Sequence, residues 1–271
     1  MLFLRFYNKL KNNIIEIFKT LFFHLPIPDF FYLKIYYRIR IGKRLNLRNP
    51  VLYNEKIQWL KLYDINPDYP NLVDKYEVRK YITKNIGEEY LIPLYGVWNT
   101  FDEIPFDMLP DQFVLKCTHD CGSIIICKDK SKLDIKNVRK HFIKCLSRNY
   151  YYRTREWPYK NIKPRIIAEK FMEAESIETL TDYRFFCFNG KPKAIFCDSN
   201  ILEKKKNIRN IYNVEWNYIP LSVRYPTDPN RMVKKPEKIK EMLNLIKILS
   251  KDIPHIRVDF YTINNKIYFG N

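Results

Sequence analysis

The sequence has 271 residues, a length that suits one large domain or two small ones. Its apolar fraction of 46% and charged fraction of 29% are near the averages for globular proteins, which excludes intrinsic disorder and fibrous architectures. The net charge of +18 favours an anionic partner, such as nucleic acid, acidic lipid, a nucleotide phosphate or an anionic glycan.

The N-terminal fifth carries almost half of this charge. Residues 1–50 contain ten Lys or Arg against Glu16 and Asp29, and aromatic residues are interleaved with the basic ones. Residues 1–25 and 29–48 have helical apolar spacing on either side of two prolines. Two interpretations stay open for residues 1–48: a peripheral anchor on the inner face of the membrane, or a helical pair packed on the main domain with a solvated basic face.

The location is predicted to be cytoplasmic. The start of the chain lacks the apolar run and small-residue cleavage site of a signal peptide, and no stretch reaches 18 uncharged apolar residues, the minimum for a transmembrane helix. The six cysteines lack a regular disulfide framework or a zinc spacing, so reduced thiols are expected.

The remaining elements alternate irregularly, which favours an α+β fold over a regular βαβ arrangement. Helices are predicted at 54–65 with Asn54 as N-cap, 74–85 closed by Gly87, 134–149 and 236–251. Strands are predicted at 90–99, 113–117, 123–128, 165–172, 182–188, 192–197, 255–262 and 266–269. Asn189-Gly190 and Asn264-Asn265 are predicted hairpin turns.

The first candidate site follows the strand that ends in Lys116. A loop containing Gly122 and Ser123 separates it from the next strand, and such a turn exposes backbone N–H groups that suit phosphate oxygens. Lys116 can add a point charge. The alternative is an ordinary hairpin with a surface lysine.

Two further segments place charges in apolar strands. Glu169 and Lys170 need partners there; they could contact a nucleotide or pair with each other. Arg184 follows Asp182 in the next strand. It could bind an anion bidentately or form an edge-strand salt bridge with its neighbour.

A fourth candidate is the last strand pair. Arg257 and Asp259 are two residues apart and therefore project on one face. An inward carboxylate is costly unless it is paired or metal-bound, so Asp259 could ligate Mg²⁺ together with nucleotide phosphates or pair with Arg257.

The order of these segments resembles the TupA-like branch of the ATP-grasp superfamily, which is named for teichuronopeptide biosynthesis. The segments that carry the resemblance are NEKIQWLKLYD (54–64), LVDKY-x-VR (72–79), IGEEYLIPLYGVW (86–98), LPDQFVLKCTHDCGS (109–123), NYYYRTREWPYKNIKPRIIAEKFM (149–172), DYRFFCFNGKPK (182–193) and HIRVDFYTINNKIYFG (255–270). The resemblance implies an ATP-grasp domain over 51–271, two α+β subdomains that hold ATP, behind a helical extension at 1–50.

The resemblance also implies roles for individual residues and an ATP-dependent ligase that activates a carboxylate as an acyl phosphate. Arg184 and Arg257 would be catalytic, and Mg²⁺ would bind Asp259 and the residue at position 271. The implied ATP-binding residues are Lys116, Thr118, His119, Asp120, Gly122, Ser123, Glu169, Lys170, Phe171 and Met172. The expected substrates are a nucleotide and an anionic glycan or peptide of bacterial cell-surface polysaccharide or glycopeptide biosynthesis.

The chain departs from the family pattern at its last residue. Asn271 stands where the family has a glutamate and a glycine loop follows it, and a neutral amide is a weaker Mg²⁺ ligand than a carboxylate. The expectation is a domain that lacks its C-terminal end. An active ligase, a chain inactive through truncation, a glycosyltransferase-like enzyme of the same pathway and a non-catalytic binder of anionic surfaces stay open; specific nucleic-acid binding is not expected.

Overall fold

The computed structural model describes residues 27–172, 181–199 and 207–270. The α-helices in these ranges are α1 Asp29–Ile41, α2 Tyr53–Tyr63, α3 Tyr69–Val73, α4 Val78–Asn85, α5 Ile135–Leu146, α6 Tyr151–Thr154 and α7 Ile239–Leu249. The strands are β1 Leu94–Trp98, β2 Phe113–Cys117, β3 Ile125–Cys127, β4 Ile166–Lys170, β5 Asp182–Phe188, β6 Lys191–Ser199, β7 Ile208–Tyr212, β8 Tyr218–Ile219, β9 His255–Ile263 and β10 Lys266–Gly270.

The strands form two antiparallel sheets, which confirms the predicted α+β class. The first has four strands in the order β1-β4-β2-β3. Alternate side chains of β2 and β4, among them Phe113, Leu115 and Ala168, pack in one core with Val138 and Phe142 of α5. The polar side chains between them are therefore left on the opposite face.

The second sheet has six strands in the order β10-β9-β5-β6-β7-β8. Its core face carries Phe185, Ile195 and Phe260, which pack with Met242 and Ile246 of α7 in the second core. Strands β5 and β9 lie in the middle of this sheet, so the residues that alternate with the core positions meet on its other face.

Helix α1 has a small core of its own. Tyr32, Leu33 and Tyr37 are buried there with Leu45 and Leu47. One interpretation of residues 29–48, packing on the rest of the chain, therefore holds for this helix. Residues 1–25, the other half of the predicted pair, lie outside the described residues.

Most predicted elements are present, and three helix starts were placed wrongly: the helices predicted from 54, 74 and 236 begin at Tyr53, Val78 and Ile239. The N-cap of helix α2 is Leu52 rather than Asn54. Oε2 of Glu55 accepts hydrogen bonds from the N–H groups of Val51 and Leu52, at 3.0 Å each. Helix α4 begins at Val78 because the Asp74 carboxylate caps the preceding turn.

The N–H of Gly87 bonds the carbonyl of Ile82 at a φ of 118°, which ends α4 as predicted. All six cysteines are free thiols. Within the part of the chain that the structure describes, no helix has the length and apolar character to cross a membrane.

Candidate functional site

The floor of the candidate site is the face of the four-stranded sheet that points away from α5. Lys116 on β2 and Glu169 on β4 alternate with core residues and project from this face. Both side chains are buried, as is Ile167 beside them. This second face of the sheet is therefore covered as well as the first.

Glu169 is the centre of a buried ionic cluster. Its Oε2 lies 2.7 Å from Nζ of Lys116, and its Oε1 lies 3.4 Å from a guanidinium nitrogen of Arg79. Arg79 also donates to the carbonyl of Ile92 at 2.9 Å. The alternative that Glu169 pairs with Lys170 is wrong, because adjacent strand residues point to opposite faces and Lys170 is exposed.

The loop after β2 uses its side chains to hold its own backbone. The Ser123 hydroxyl accepts from the N–H of Cys117 at 2.8 Å and donates to the Asp120 carboxylate at 2.5 Å. Lys75 donates from outside the loop to the carbonyls of Cys117, at 3.0 Å, and of Asp120. Buried polar atoms that are paired in this way keep the loop in one conformation.

Only the tip of this loop is open. Thr118, His119, Asp120 and Ser123 are buried, whereas Cys121 and Gly122 are exposed. Gly122 has a φ of 105° and no atom within 4 Å of the position of a Cβ. Burial lowers the pKa of His119 below its usual value, so its ring is neutral at pH 7. What the loop offers to a ligand is therefore backbone at Cys121 and Gly122.

The opposite wall is the non-core face of the six-stranded sheet, where Arg184 lies among three carboxylates. Its guanidinium is 2.7 Å from Asp182, 3.0 Å from Asp198 and 3.9 Å from Asp259. Strand β5 has neighbours on both sides, so the prediction of an edge-strand salt bridge was wrong in place, although the pair with Asp182 exists.

Arg257 and Asp259 do project on one face and they pair. The guanidinium donates to both carboxylate oxygens, at 2.7 and 2.8 Å. Desolvation works to lower the pKa of Arg257, but the Asp259 carboxylate outweighs it and holds that pKa above its usual value. The arginine that pairs most closely with Asp259, Arg257, is thus exposed rather than buried.

The crowding of carboxylates is visible in Asp182. Burial and the nearby charge of Asp259 raise the pKa of Asp182 to about 6, against the opposing effect of Arg184. Asp198 is held more firmly, because Arg209 donates to both of its oxygens at 2.5 and 2.6 Å. The wall therefore holds three carboxylates and three guanidinium groups, and Asp182 is the carboxylate whose pKa rises.

The two walls are in electrostatic contact. Burial, and then the charges of Glu169 and Asp182, raise the pKa of Tyr261 on β9. Tyr150 and Tyr159, whose ring centroids are 4.9 Å apart, are each influenced by both Cys121 and Arg257. The loop tip, the Glu169 cluster and β9 are therefore within electrostatic range of the same tyrosines.

A cleft of 1240 Å³ opens at the end of β4. Lys170 and Met172 line it, opposite Ile267 and Tyr268 of β10. Phe171 instead has its ring 5.9 Å from Nζ of Lys128, next to β3. The residues 169–172 are thus divided among the buried cluster, the cleft and the outer strand.

The possible metal ligands are few. Asn271 lies outside the described residues, and within the described ranges no group of three or more His, Cys, Asp or Glu residues could hold a metal ion. Asp259 is a single carboxylate whose oxygens already accept from Arg257. Mg²⁺ binds through one or two protein carboxylates when phosphate oxygens and water complete its shell, and Asp259 meets that requirement.

Several residues of the site had no role in the sequence predictions, among them Lys75, Arg79, Asp198 and Arg209. Lys75, in a turn, and Arg79, in α4, lie within the segment 72–79 that resembles the family, but a single basic residue does not reveal its partner. Asp198 ends an apolar run and could have been found as a carboxylate in phase with Asp182, to which it is directly opposite in the sheet.

The chain was compared with protein families, curated proteins and solved structures. A family model described as TupA-like ATPgrasp matches residues 55–271. No curated protein matches the sequence.

Solved structures of similar fold include a D-alanine–D-alanine ligase from Bacillus anthracis complexed with ATP, at 17% identity and a TM-score of 0.41, covering 73% of this chain and 53% of that one. An L-amino acid ligase from Bacillus licheniformis matches at 10% identity and a TM-score of 0.45, covering 78% and 46%. The ATP-grasp ligase PsnB, complexed with a minimal precursor, Mg and ADP, matches at 8% identity and 0.38, covering 80% and 56%. The chain thus spans about half the length of these structures.

Proposed function

The chain belongs to the TupA-like ATP-grasp family, and on this basis we propose that it is an ATP-dependent ligase that joins a carboxylate to an amine. The observation that supports the proposal most is the presence of two charged clusters, the Lys116–Glu169 pair on the four-stranded sheet and the Arg184–Asp259 group on the six-stranded sheet. Glu169 and Asp182 both act on Tyr261 of β9. Fixed cationic groups beside carboxylates suit a nucleoside triphosphate bound with Mg²⁺.

In the proposed reaction a carboxylate oxygen of the first substrate attacks the terminal phosphorus of ATP, and ADP leaves. The amine nitrogen of the second substrate then attacks the acyl carbon, the new C–N bond forms, phosphate leaves and the nitrogen loses a proton. Mg²⁺, when bound with the phosphates, neutralises the charge that develops on them. The protein has to position both substrates and stabilise the same charge.

We assign the charge stabilisation to Arg184 and Arg257, whose guanidinium groups lie on the wall that carries Asp259. Asp259 is the proposed Mg²⁺ ligand, with position 271 as the second. Preorganised cations and dipoles that face the transferred phosphoryl group are the largest contribution to catalysis in reactions of this type.

We assign ATP binding to residues of β2, of the loop that follows it, and of the end of β4. Lys116 and the loop tip at Gly122 would face the phosphates; Thr118, His119, Asp120 and Ser123 would act by keeping that loop in shape. Lys170 and Met172 would contact the base from the cleft, and Glu169 would contribute from the buried cluster, with Phe171 next to β3. Burial of Lys116 and Glu169 as a pair supports a fixed floor for this pocket.

The second substrate is proposed to be an anionic glycan or peptide of cell-surface polysaccharide or glycopeptide assembly. The net charge of +18 supports an anionic substrate, since it attracts such molecules over a distance. The cytoplasm supplies ATP and is the proposed location.

Calorimetry with Mg-ATP tests the first step, and no binding at millimolar nucleotide would contradict the proposal. A second assay supplies hydroxylamine in place of the unknown amine, together with Mg-ATP and a panel of peptide and uronic acid carboxylates. Formation of hydroxamate with an equal amount of phosphate is expected. Thermal stabilisation by UDP-sugars but not by ATP would instead favour a glycosyltransferase.

A further inference from the structure

Helix α1 has a second apolar face that no described residue covers. Phe31, Ile35 and Ile39 are spaced four residues apart and lie on one side of the helix. Their exposed fractions are 57%, 43% and 69%. A surface helix of a globular protein normally presents polar residues on its outer side, so this arrangement calls for a partner.

The opposite side of the same helix holds it firmly on the rest of the chain. The Tyr151 hydroxyl donates to the Asp29 carboxylate at 2.6 Å, and the Tyr32 hydroxyl donates to the carbonyl of Arg153 at 3.2 Å. The Arg155 guanidinium lies 4.2 Å from the ring centroid of Tyr32. These contacts fix the orientation of helix α1, so that the face with Phe31, Ile35 and Ile39 belongs to a helix that is anchored on its other side.

The charge around the outward face is of one sign. Lys34 and Arg38 lie beside the apolar stripe at i+3 and i+7 from Phe31, and neither forms a salt bridge with a described carboxylate. Residues 27–50 contain six Lys or Arg and one acidic residue, Asp29. Asp29 is occupied on the buried side, by Tyr151 and, at 3.7 Å, by Arg155.

We propose that this face docks on an anionic lipid surface, with Phe31, Ile35 and Ile39 entering the interface and Lys34 and Arg38 contacting the headgroups. Apolar area and basic charge are the two contributions that together hold a peripheral helix on a membrane. Lysine and arginine also suit this boundary, because their stems cover apolar surface while their charged ends stay in water.

Two other occupants fit less well. A second copy docked through a two-fold axis would bring this basic face against an identical basic face, and like charges repel. Nucleic acid would satisfy the charge but would leave the exposed Phe31, Ile35 and Ile39 without an apolar partner. The proposal is independent of nucleotide binding.

Vesicle co-sedimentation of the full chain tests the proposal. The wild type should bind vesicles of phosphatidylcholine mixed with phosphatidylglycerol, lose binding at high salt, and bind pure phosphatidylcholine weakly. The triple variant Phe31→Ser/Ile35→Ser/Ile39→Ser and the double variant Lys34→Glu/Arg38→Glu should each bind the anionic vesicles about tenfold more weakly.

Matched controls use exposed residues elsewhere. Met108→Ser/Ile143→Ser/Ile248→Ser removes three apolar side chains that are 84%, 47% and 46% exposed, and Lys136→Glu/Lys140→Glu reverses two charges at the same spacing on α5. Both should bind as the wild type. Thermal unfolding checks that all variants stay folded, as expected for exposed positions.

A second measurement does not depend on loss of binding. In a Cys121→Ser background, an environment-sensitive fluorophore on Ile35→Cys should shift to the blue with anionic vesicles, and one on Ile143→Cys should not. The proposal is overturned if the α1 variants bind vesicles as the wild type does, if the wild type does not bind, or if the Ile35 probe does not respond. A dimer that the α1 variants dissociate would also overturn it.

Discussion

Nζ of Lys116 lies 2.7 Å from Oε2 of Glu169, and the two side chains are almost completely buried. A buried ion pair contributes little to stability against well-packed apolar residues, but removal of one partner leaves an uncompensated charge. We therefore interpret the pair as a fixed charged base of a ligand site rather than as a source of fold stability.

The first prediction concerns this pair. Glu169→Gln should lower the free energy of unfolding by about 3 kcal/mol, because Lys116 is left buried without its carboxylate. The double variant Lys116→Met/Glu169→Gln should be more stable than the sum of the two single effects implies. Urea denaturation measures both. Additive single effects would show that the two charges are not coupled, and Glu88→Gln, an exposed residue of the cleft, is the control.

The second prediction concerns the loop after β2. Ser123→Ala should destabilise the protein by about 1–3 kcal/mol, because the buried N–H of Cys117 loses its acceptor. Nucleotide affinity should fall with it if the loop contacts phosphate. Cys121→Ser at the exposed tip should leave the free energy of unfolding unchanged. Equal stability of the two variants in urea would argue against a hydrogen-bonded loop.

The third prediction is a pH dependence that originates in Asp182. Its pKa is raised from 3.8 to about 6 in the folded protein. Between these two pH values the folded state therefore keeps a proton on Asp182 that the unfolded state has lost. The stabilising contribution is complete below about pH 4 and is lost as the pH rises through about 6, by an amount on the order of 3 kcal/mol.

Asp182→Asn removes this titration. The difference in unfolding free energy between wild type and Asp182→Asn should fall as the pH rises from 4 to 6 and then stay constant. Parallel stability curves for the two proteins over this range would show that Asp182 titrates normally. Asp252→Asn, at an exposed position, should give parallel curves.

The fourth prediction separates metal binding from phosphate binding. Asp259→Asn should weaken the binding of Mg-ATP by about tenfold, the lower end of the effect expected at a metal site. It should not weaken the binding of ATP in the presence of a chelator, because the variant removes a negative charge from the wall. Calorimetry with and without Mg²⁺ compares the two. An equal loss in both conditions would assign Asp259 a structural role through Arg257.

The strand and turn predictions succeeded where a local pattern has a local cause. Asn189 and Gly190 both have positive φ, 47° and 73°, which these two residue types tolerate better than others, and the hairpin forms there. Helix starts were less predictable. Asn54 has the right side chain for an N-cap, but Glu55 reaches back to the N–H groups of Val51 and Leu52 and moves the cap to Leu52.

The charged residues show the same division. Alternation along a strand is a property of the backbone, so it was predictable that Arg257 and Asp259 share a face, and they are paired. The partners of Glu169 were not predictable, since Arg79 is 90 residues away and Lys116 is on a different strand. Nothing near either residue in the chain encodes that distance.

By itself, then, the sequence determined the α+β class, the family, most strand positions and the presence of charged residues in apolar strands, whereas β7 and β8 were not predicted. The tertiary structure decided which charges meet, which loop side chains are buried, and that α1 packs through one face while its other face stays apolar and basic. The physical reason is that propensity and side-chain alternation act between near neighbours, whereas ion pairs and burial depend on the packing of segments that are far apart in the chain.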